Sequence, residues 1–513
     1  MRRLIRWGAL SGILICAAVP TARADSALEH HSAPPGHRSV DGQLGYVSFE
    51  TSGARAAQPA FQRGLLLLHS FEYPAARDQF QSAWKIDPSF AMAVWGEALT
   101  YNHTLWHEQD TAAARAAMAR LGASPEERIA KGKTPREREY LASLEKLYGP
   151  GEKSARDAAY SAALGEIARH YPGDLDARAL YSLSILGLSA KRDFRTYMRA
   201  AAEGEAVYEV QKRHPGALHY LIHAYDDPVH APLGLRAARL YARVAPGSSH
   251  AQHMTSHIFF ALGLWDEAIA ANEASVRVAH SQGDPAYHSV LWLEYAYLQK
   301  NERAGAESLL RGLTQDMTDA SNRESRLRAA FSRATWLVET GDAVTAGAAE
   351  PVDSRGIASI GYFSVHDYAR GLVAARTGNL AGARAALASL TARIDDARIV
   401  AADENQHWFD ALSENELAQA RALATALQGA IEFAAGDHGK GIERVQSAIA
   451  ATASMEFEYG PPWSAKPLDE LLADLLLKDG RRTEAAAQYE RTLATYPNRR
   501  LAVEGLAAAR AGR

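Results

Sequence analysis

The sequence holds one cysteine, Cys16, among 513 residues. It lies in an apolar run from about Gly8 to Val19, behind Met1-Arg2-Arg3-Leu4-Ile5-Arg6 and ahead of Pro20 and Ala22-Arg23-Ala24. A basic start, a short apolar stretch and an A-x-A end mark a secretory signal, and the run is too short to span a bilayer. Ile15, directly before the cysteine, is bulkier than a lipoprotein signal accepts. Residues 1–24 are therefore expected to be removed, leaving a periplasmic or secreted chain with no thiol. Such a chain has no disulfide, no thiolate nucleophile and no Cys-ligated zinc or iron–sulfur centre, so any metal must be held by His and carboxylates.

Excess positive charge is also missing, since 56 Lys and Arg face 60 Asp and Glu for a formal charge of -4. Removing residues 1–24 takes away four arginines and no acid, which moves the formal charge from -4 to -8. With no basic stripe, nucleic acid is not an expected partner. Past the signal, no apolar stretch is long enough for stable membrane insertion. There is no G-x-S-x-G, no Walker loop and no His-Glu-x-x-His, which removes the usual serine hydrolase, nucleotide-cofactor and zinc-peptidase arrangements.

What is present is a helical composition, 47% hydrophobic and 23% charged with abundant Ala, and a repeat. Numbered from Ala57, positions 8, 20, 24, 27 and 32 are Gly64, Ala76, Phe80, Ala83 and Pro88. Numbered from Lys466, positions 8, 20, 24, 28 and 32 are Ala473, Ala485, Tyr489, Leu493 and Pro497. Weaker copies start near Pro215, Ser249, Tyr287, Ser364 and Ala422. Small residues at 8 and 20 let two helices approach closely, and Pro at 32 stops the second. This pattern resembles the tetratricopeptide repeat, which has a period of about 34 residues. The resemblance implies an all-α fold, a right-handed α-solenoid of about ten helix pairs over 57–513, whose concave face takes a peptide or protein partner. Residues 25–56, with Pro34-Pro35-Gly36 and no periodicity, are expected as an extended lead-in. An insert or hinge is expected near 120–140, where Ser124-Pro125 and Thr134-Pro135 each precede a Glu three residues after the Ser or Thr.

Several of the 19 histidines follow the repeat. His69 and His103 are 34 apart, each late in a first helix, and His107 lies four residues past His103. The pairs His219/His223 and His253/His257 are each spaced i, i+4, and both members are offset by 34, at positions 5 and 9 of adjoining repeats. The i, i+4 spacing places two imidazoles on one helix face a turn apart, close enough to chelate one ion. Adjoining helices about 8–10 Å apart would let four imidazoles face one another. His250 extends this row, and Asp226 and Asp227 stand ready to orient an imidazole. The competing reading is duplicated surface or core polarity carried along with the repeat. His30 and His31 read as tail residues, and His280, His288, His366, His407 and His438 as isolated ones.

The stretches His214 to Tyr225, Ala251 to Ile258 and Gly460 to Arg499 resemble those of an exported bacterial tetratricopeptide-repeat family with a His-rich middle. That resemblance implies a fold and no particular reaction. From the residues themselves, the leading expectation is a transition-metal site made by His69, His103, His107, His219, His223, His253 and His257. Copper or zinc stands ahead of iron, because all-imidazole ligation suits those ions. The rivals are a metal-free scaffold for a partner chain and a metal-dependent oxidoreductase or hydrolase. Arg323, Arg326, Arg328 and Arg333 around Glu324 read as a solvated helix face, and Glu458-Tyr459-Gly460-Pro461-Pro462-Trp463 as a rigid loop over the groove.

Overall fold

The protein was analysed as a computed structural model, which describes residues 42–189, 192–319, 321–397, 411–455 and 458–511. The expected signal at 1–24, and His30, His31 and His407, lie outside the described residues. Those that are described fall in one compact unit, 39–513.

The architecture is an all-α solenoid of antiparallel helix pairs. α1 (Gln58–His69) packs on α2 (Tyr73–Ile86), and α3 (Ala91–Leu99) on α4 (Thr111–Met118). A short α5 (Pro125–Ala130) precedes α6 (Pro135–Leu147) on α7 (Lys153–His170), then α8 (Leu175–Leu186) on α9 (Phe194–Val210). The central pairs are α10 (Pro215–Tyr225) with α11 (Ala231–Val244), α12 (Ser249–Leu262) with α13 (Trp265–Ser281), and α14 (Tyr287–Gln299) with α15 (Arg303–Asp316). α16 (Arg323–Thr340) bridges to α17 (Gly361–Arg376) on α18 (Leu380–Asp396) and α19 (Glu414–Ala434) on α20 (His438–Thr452). The last pair, α21 (Leu468–Lys478) on α22 (Arg482–Thr495), is followed by α23 (Arg500–Arg510). Among the described residues these pairs number ten.

The repeat chemistry acts as the spacing predicts. At Gly64 a Cβ would sit 2.9 Å from the Phe80 ring, and at Gly96 2.3 Å from it, so the absence of a side chain is what lets α1 and α3 close on Phe80. Ser124 and Thr134 each complete a capping box, with Glu127 and Glu137 reaching back. α10, α12 and α14 start at the expected Pro215, Ser249 and Tyr287. α17 and α19 start earlier than expected, at Gly361 and Glu414, the latter because Ser413 and Glu416 form a capping box that extends the helix to 21 residues.

Both ends of the solenoid return to its centre. His219 Nδ1 donates to the His69 carbonyl at 2.7 Å and Ser248 Oγ to Glu72 at 2.8 Å, joining α1 and the turn after it to α10 and α12. At the other end Trp265 Nε1 donates to the Asn498 carbonyl at 3.0 Å, and the Arg499 guanidinium sits fully buried between Glu339 and Glu470 at 2.7 and 2.5 Å. The Arg cluster on α16 corrects the solvated-face expectation: Arg326, Arg328 and Arg333 are buried, and Arg326 and Arg333 cap carbonyls of the loop at 346–355. Among the described residues no helix is long and apolar enough to cross a membrane.

Candidate metal centre

Three parallel first helices, α10, α12 and α14, supply the histidines. α10 is started by His214, whose Nδ1 accepts the Ala217 N–H at 3.2 Å, with Pro215 at its first position. α12 is started by Ser248, whose hydroxyl accepts the Ala251 N–H at 3.0 Å, and is ended by Gly263 in the left-handed region at φ 64°. These caps set the phase of each helix and so the face on which its histidines lie.

The four paired histidines do not share one site. They form two triads, each built from two histidines of one helix and a third from the first turn of the next. His219 and His223 of α10 join His250 of α12, and His253 and His257 of α12 join His288 of α14. Within each triad the ligand atoms lie within 4.8 Å of one another. The Nε2 atoms are 3.1 Å apart for His219 and His223, 3.2 Å for His219 and His250, and 3.1 Å for His253 and His257. The triads adjoin, with the His223 and His257 rings 6.2 Å apart.

The surrounding hydrogen bonds settle where the ring protons are. His257 Nδ1 lies 2.6 Å from Asp226 Oδ2, and His253 Nδ1 2.8 Å from Asn272 Oδ1. Asn272 Nδ2 donates to the Ala268 carbonyl at 2.9 Å, which leaves only its oxygen to face the imidazole. Both Nδ1 atoms therefore carry hydrogen, and in neutral rings both Nε2 atoms carry lone pairs, aimed at each other across 3.1 Å. Burial lowers the His253 pKa to about 3, with the neighbouring His257 adding to the effect. Burial likewise holds His219, His223, His250 and His288 well below the ordinary imidazole range. The His288 side chain is the exposed member of its triad.

One aromatic ring covers each triad. Phe71 touches all three imidazoles of the first, with centroids 4.3, 5.7 and 5.5 Å from His219, His223 and His250. Its backbone is left-handed at φ 57°, a conformation costly for a bulky residue and retained where the surroundings impose it. Trp292 covers the second, 4.9, 4.3 and 5.7 Å from His253, His257 and His288. The loop expected over the groove reaches this point: Tyr459 packs 5.3 Å from His257, and a Cβ on Gly460 would strike Trp292 at 2.4 Å.

The other expected ligands lie elsewhere. His69 ends α1, buried, with Nε2 2.8 Å from Asp176 and Nδ1 2.9 Å from the Tyr220 hydroxyl. His214 Nε2 faces the same Asp176 oxygen at 3.3 Å. Because His214 Nδ1 accepts a backbone N–H, its Nε2 is the protonated nitrogen; it makes no hydrogen bond among the described residues, and His69 is the imidazole that donates to Asp176. His69 meets the centre through its carbonyl, which accepts from His219. His103 and His107 are a correction: neither is on a helix. Asn102-His103 and Glu108-Gln109 pair as a two-stranded hairpin, His107 is left-handed at φ 56°, and His103 stacks on Tyr73 and bonds Glu108. The expected helical i, i+4 relation fails because α3 ends at Leu99. His366 bonds the Ala348 carbonyl in the core, and His438 stacks on Phe433.

Sequence reasoning missed His288, His214 and Asp176. His288 had a signal: it stands at position 2 of the Tyr287 repeat, as His250 does in the Ser249 repeat. The linker around Gly283-Asp284-Pro285 stretches that spacing to 38, so a search at 34 passes over it. A cavity of about 890 Å³ adjoins the centre, its walls including Trp106, Tyr362, Glu416, Glu458 and Trp463. Trp106 lies 6.5 Å from the His250 ring.

No protein-family model matches the chain, and no curated protein does. Among solved structures it is similar to yeast Tom70, at 10% identity over 89% of this chain and 88% of that one, with a TM-score of 0.33. It is also similar to human IFIT1, at 12% identity over 90% of each chain and a TM-score of 0.35, and to the P58(IPK) TPR domain, at 12% identity over 88% and 97% and a TM-score of 0.24.

Proposed function

We propose that this protein is an exported helical-repeat metalloprotein that holds two transition-metal ions, each on three imidazole nitrogens. The first ion belongs to His219, His223 and His250, the second to His253, His257 and His288. The observation that carries the reading is the pair of facing lone pairs on His253 and His257, each with its Nδ1–H already committed to oxygen. Lone pairs at that separation repel unless a cation lies between them. The spacing also fits: two nitrogens at about 2.0–2.1 Å from one tetrahedral ion are about 3.3 Å apart, close to the 3.1–3.2 Å found in both triads. Three nitrogen donors with no thiolate favour copper or zinc over iron. Asp226 and Asn272 orient the rings, as carboxylate and amide partners of metal-binding histidines do. His69 enters this reading as a support for His219 rather than as a ligand, and His103 and His107 stand outside it.

The test is elemental analysis of untagged protein, as purified and after loading with Zn²⁺ or Cu²⁺. Two ions per chain are expected, falling to one in His223→Ala and one in His257→Ala. No stoichiometric metal in the loaded, unmutated protein overturns the reading. A second reading, a scaffold that grips a partner peptide, is favoured by the cavity of about 890 Å³ and its aromatic walls. It is compatible with the first and becomes the sole one if metal is absent. Export is supported by the signal pattern of residues 1–24 and is checked by fractionating the cells that make the protein.

A further inference from the structure

The two triads repeat one ligand pattern but differ in what stands behind it. Behind the second is a carboxylate in direct contact: Asp226 Oδ2 accepts from His257 Nδ1 at 2.6 Å, and the residue is 1% exposed. Asp226 Oδ1 is buried and makes no hydrogen bond among the described residues, so this negative charge is only partly satisfied by the protein. Behind the first triad the corresponding contact is neutral, the His69 carbonyl on His219 Nδ1 at 2.7 Å.

The remaining charges near each triad are committed elsewhere. At the first, the Arg192 guanidinium donates to the His223 carbonyl at 3.4 Å and pairs with Asp227 at 3.1 Å, while Asp227 also holds His230. Glu72 accepts from Ser248 Oγ and the His250 backbone N–H rather than from an imidazole, and burial raises its pKa. At the second, Arg328 is paired with Glu324 at 3.2 Å. Among the described residues Asp226 is thus the only carboxylate hydrogen-bonded to an imidazole in either triad. A carboxylate on the far nitrogen raises the basicity of the ligating one and offsets the charge of the ion.

Resting on the two-ion reading above, we infer that the triads bind unequally: the His253, His257 and His288 site fills first and holds its ion more tightly, and Asp226 sets that order. Asp226 is a positioning residue that acts through His257. The inequality makes the first triad, under Phe71, the exchangeable half of the pair.

The experiment titrates the full chain, stripped with a chelator, with Zn²⁺ against a chromophoric competitor. Two steps are expected, differing by about 10–100-fold in affinity, the usual effect of a partner behind a ligand. His288→Ala removes the tight step and His250→Ala the weak one. Asp226→Asn, which keeps the shape and an acceptor oxygen, still binds two ions but weakens the tight step about 10–100-fold and leaves the weak step in place. Two equal steps, loss of the tight step in His250→Ala, or an unchanged tight step in Asp226→Asn overturns the inference while leaving the two-ion reading standing. No uptake of Zn²⁺ by the unmutated chain removes both. If Asp226→Asn does not fold, His250→Ala and His288→Ala decide the order alone, since these side chains lie at the partly open edge of the centre.

Discussion

Removing the His257 imidazole separates the pairing with Asp226 from everything a metal does, provided the measurement is made without metal. In His257→Ala, Asp226 Oδ2 loses its 2.6 Å donor while Oδ1 already has none, so a carboxylate 1% exposed is left with no hydrogen bond. Leaving a buried carboxylate without its hydrogen-bond donor costs about 1–3 kcal/mol, and more because the group is charged. Asp226→Asn alone retains an acceptor for the His257 N–H and should cost about 1–2 kcal/mol, the difference between a charged and a neutral hydrogen bond. In the double variant the stranded charge is gone, so the loss should be smaller than the sum of the two singles. The expected interaction energy is about 1.5–3 kcal/mol. Urea unfolding in chelator measures it, followed by both circular dichroism and tryptophan fluorescence, because repeat arrays lose cooperativity and only coincident curves justify a single free energy. An interaction energy below about 0.5 kcal/mol, the limit of ordinary additivity, would refute the reasoning. His257 Nδ1 would then not be held by Asp226, and the argument for facing lone pairs on His253 and His257 would fall with it.

Other outcomes follow from the same contacts. The metal-free protein should lose stability as pH falls below about 6.5, because the unfolded chain takes up protons that His253, with a pKa lowered to about 3 by burial and by His257, refuses. Added Zn²⁺ should steepen that dependence, which a series of melts across pH 4–7 will show. Burial alone would raise the Glu470 carboxyl, but Arg499 and Lys466 outweigh it and bring it to about 2. A depressed carboxyl stabilises above its unfolded value near 4.5 and loses that contribution as pH falls toward 2, about 3 kcal/mol in all. Glu470→Gln should flatten this part of the stability profile, and an unchanged slope would exclude Glu470 as its source. Gly460→Ala places a Cβ 2.4 Å from Trp292 at φ 95°, so it should cost about 1–3 kcal/mol and shift the tryptophan emission maximum. An unaltered spectrum and melt would mean that the loop does not bear on Trp292.

How far the centre could be read in the sequence differs from residue to residue. His219, His223, His253 and His257 were legible because a helix converts a spacing of four into a shared face, and the repeat converts a spacing of 34 into adjacency. His250 and His288 depended on where each first helix begins, and a linker four residues longer hid the second of them. His103 and His107 carried the same spacing and went the other way, because α3 ends at Leu99 and the chain turns back as a hairpin. Spacing carries meaning only inside an unbroken helix. Asp176 and Asp226 lie 107 and 31 residues from the histidines they hold, separations at which local pattern is silent.

By itself the sequence determined the all-helical repeat, its small residues at the close approaches, its caps, and the two histidine pairs at positions 5 and 9, all consequences of local backbone geometry and short-range packing. It also leaves the described residues without a thiol, since no cysteine follows Cys16. The tertiary structure decided that four histidines become two triads rather than one shared site, that Phe71 and Trp292 each cover one of them, and that His69 serves as a support. It also decided that the ends of the solenoid close on the centre. Those outcomes depend on which side chains meet when helix pairs stack and curve, and on which ring nitrogen is left without a proton once its neighbours have taken the other.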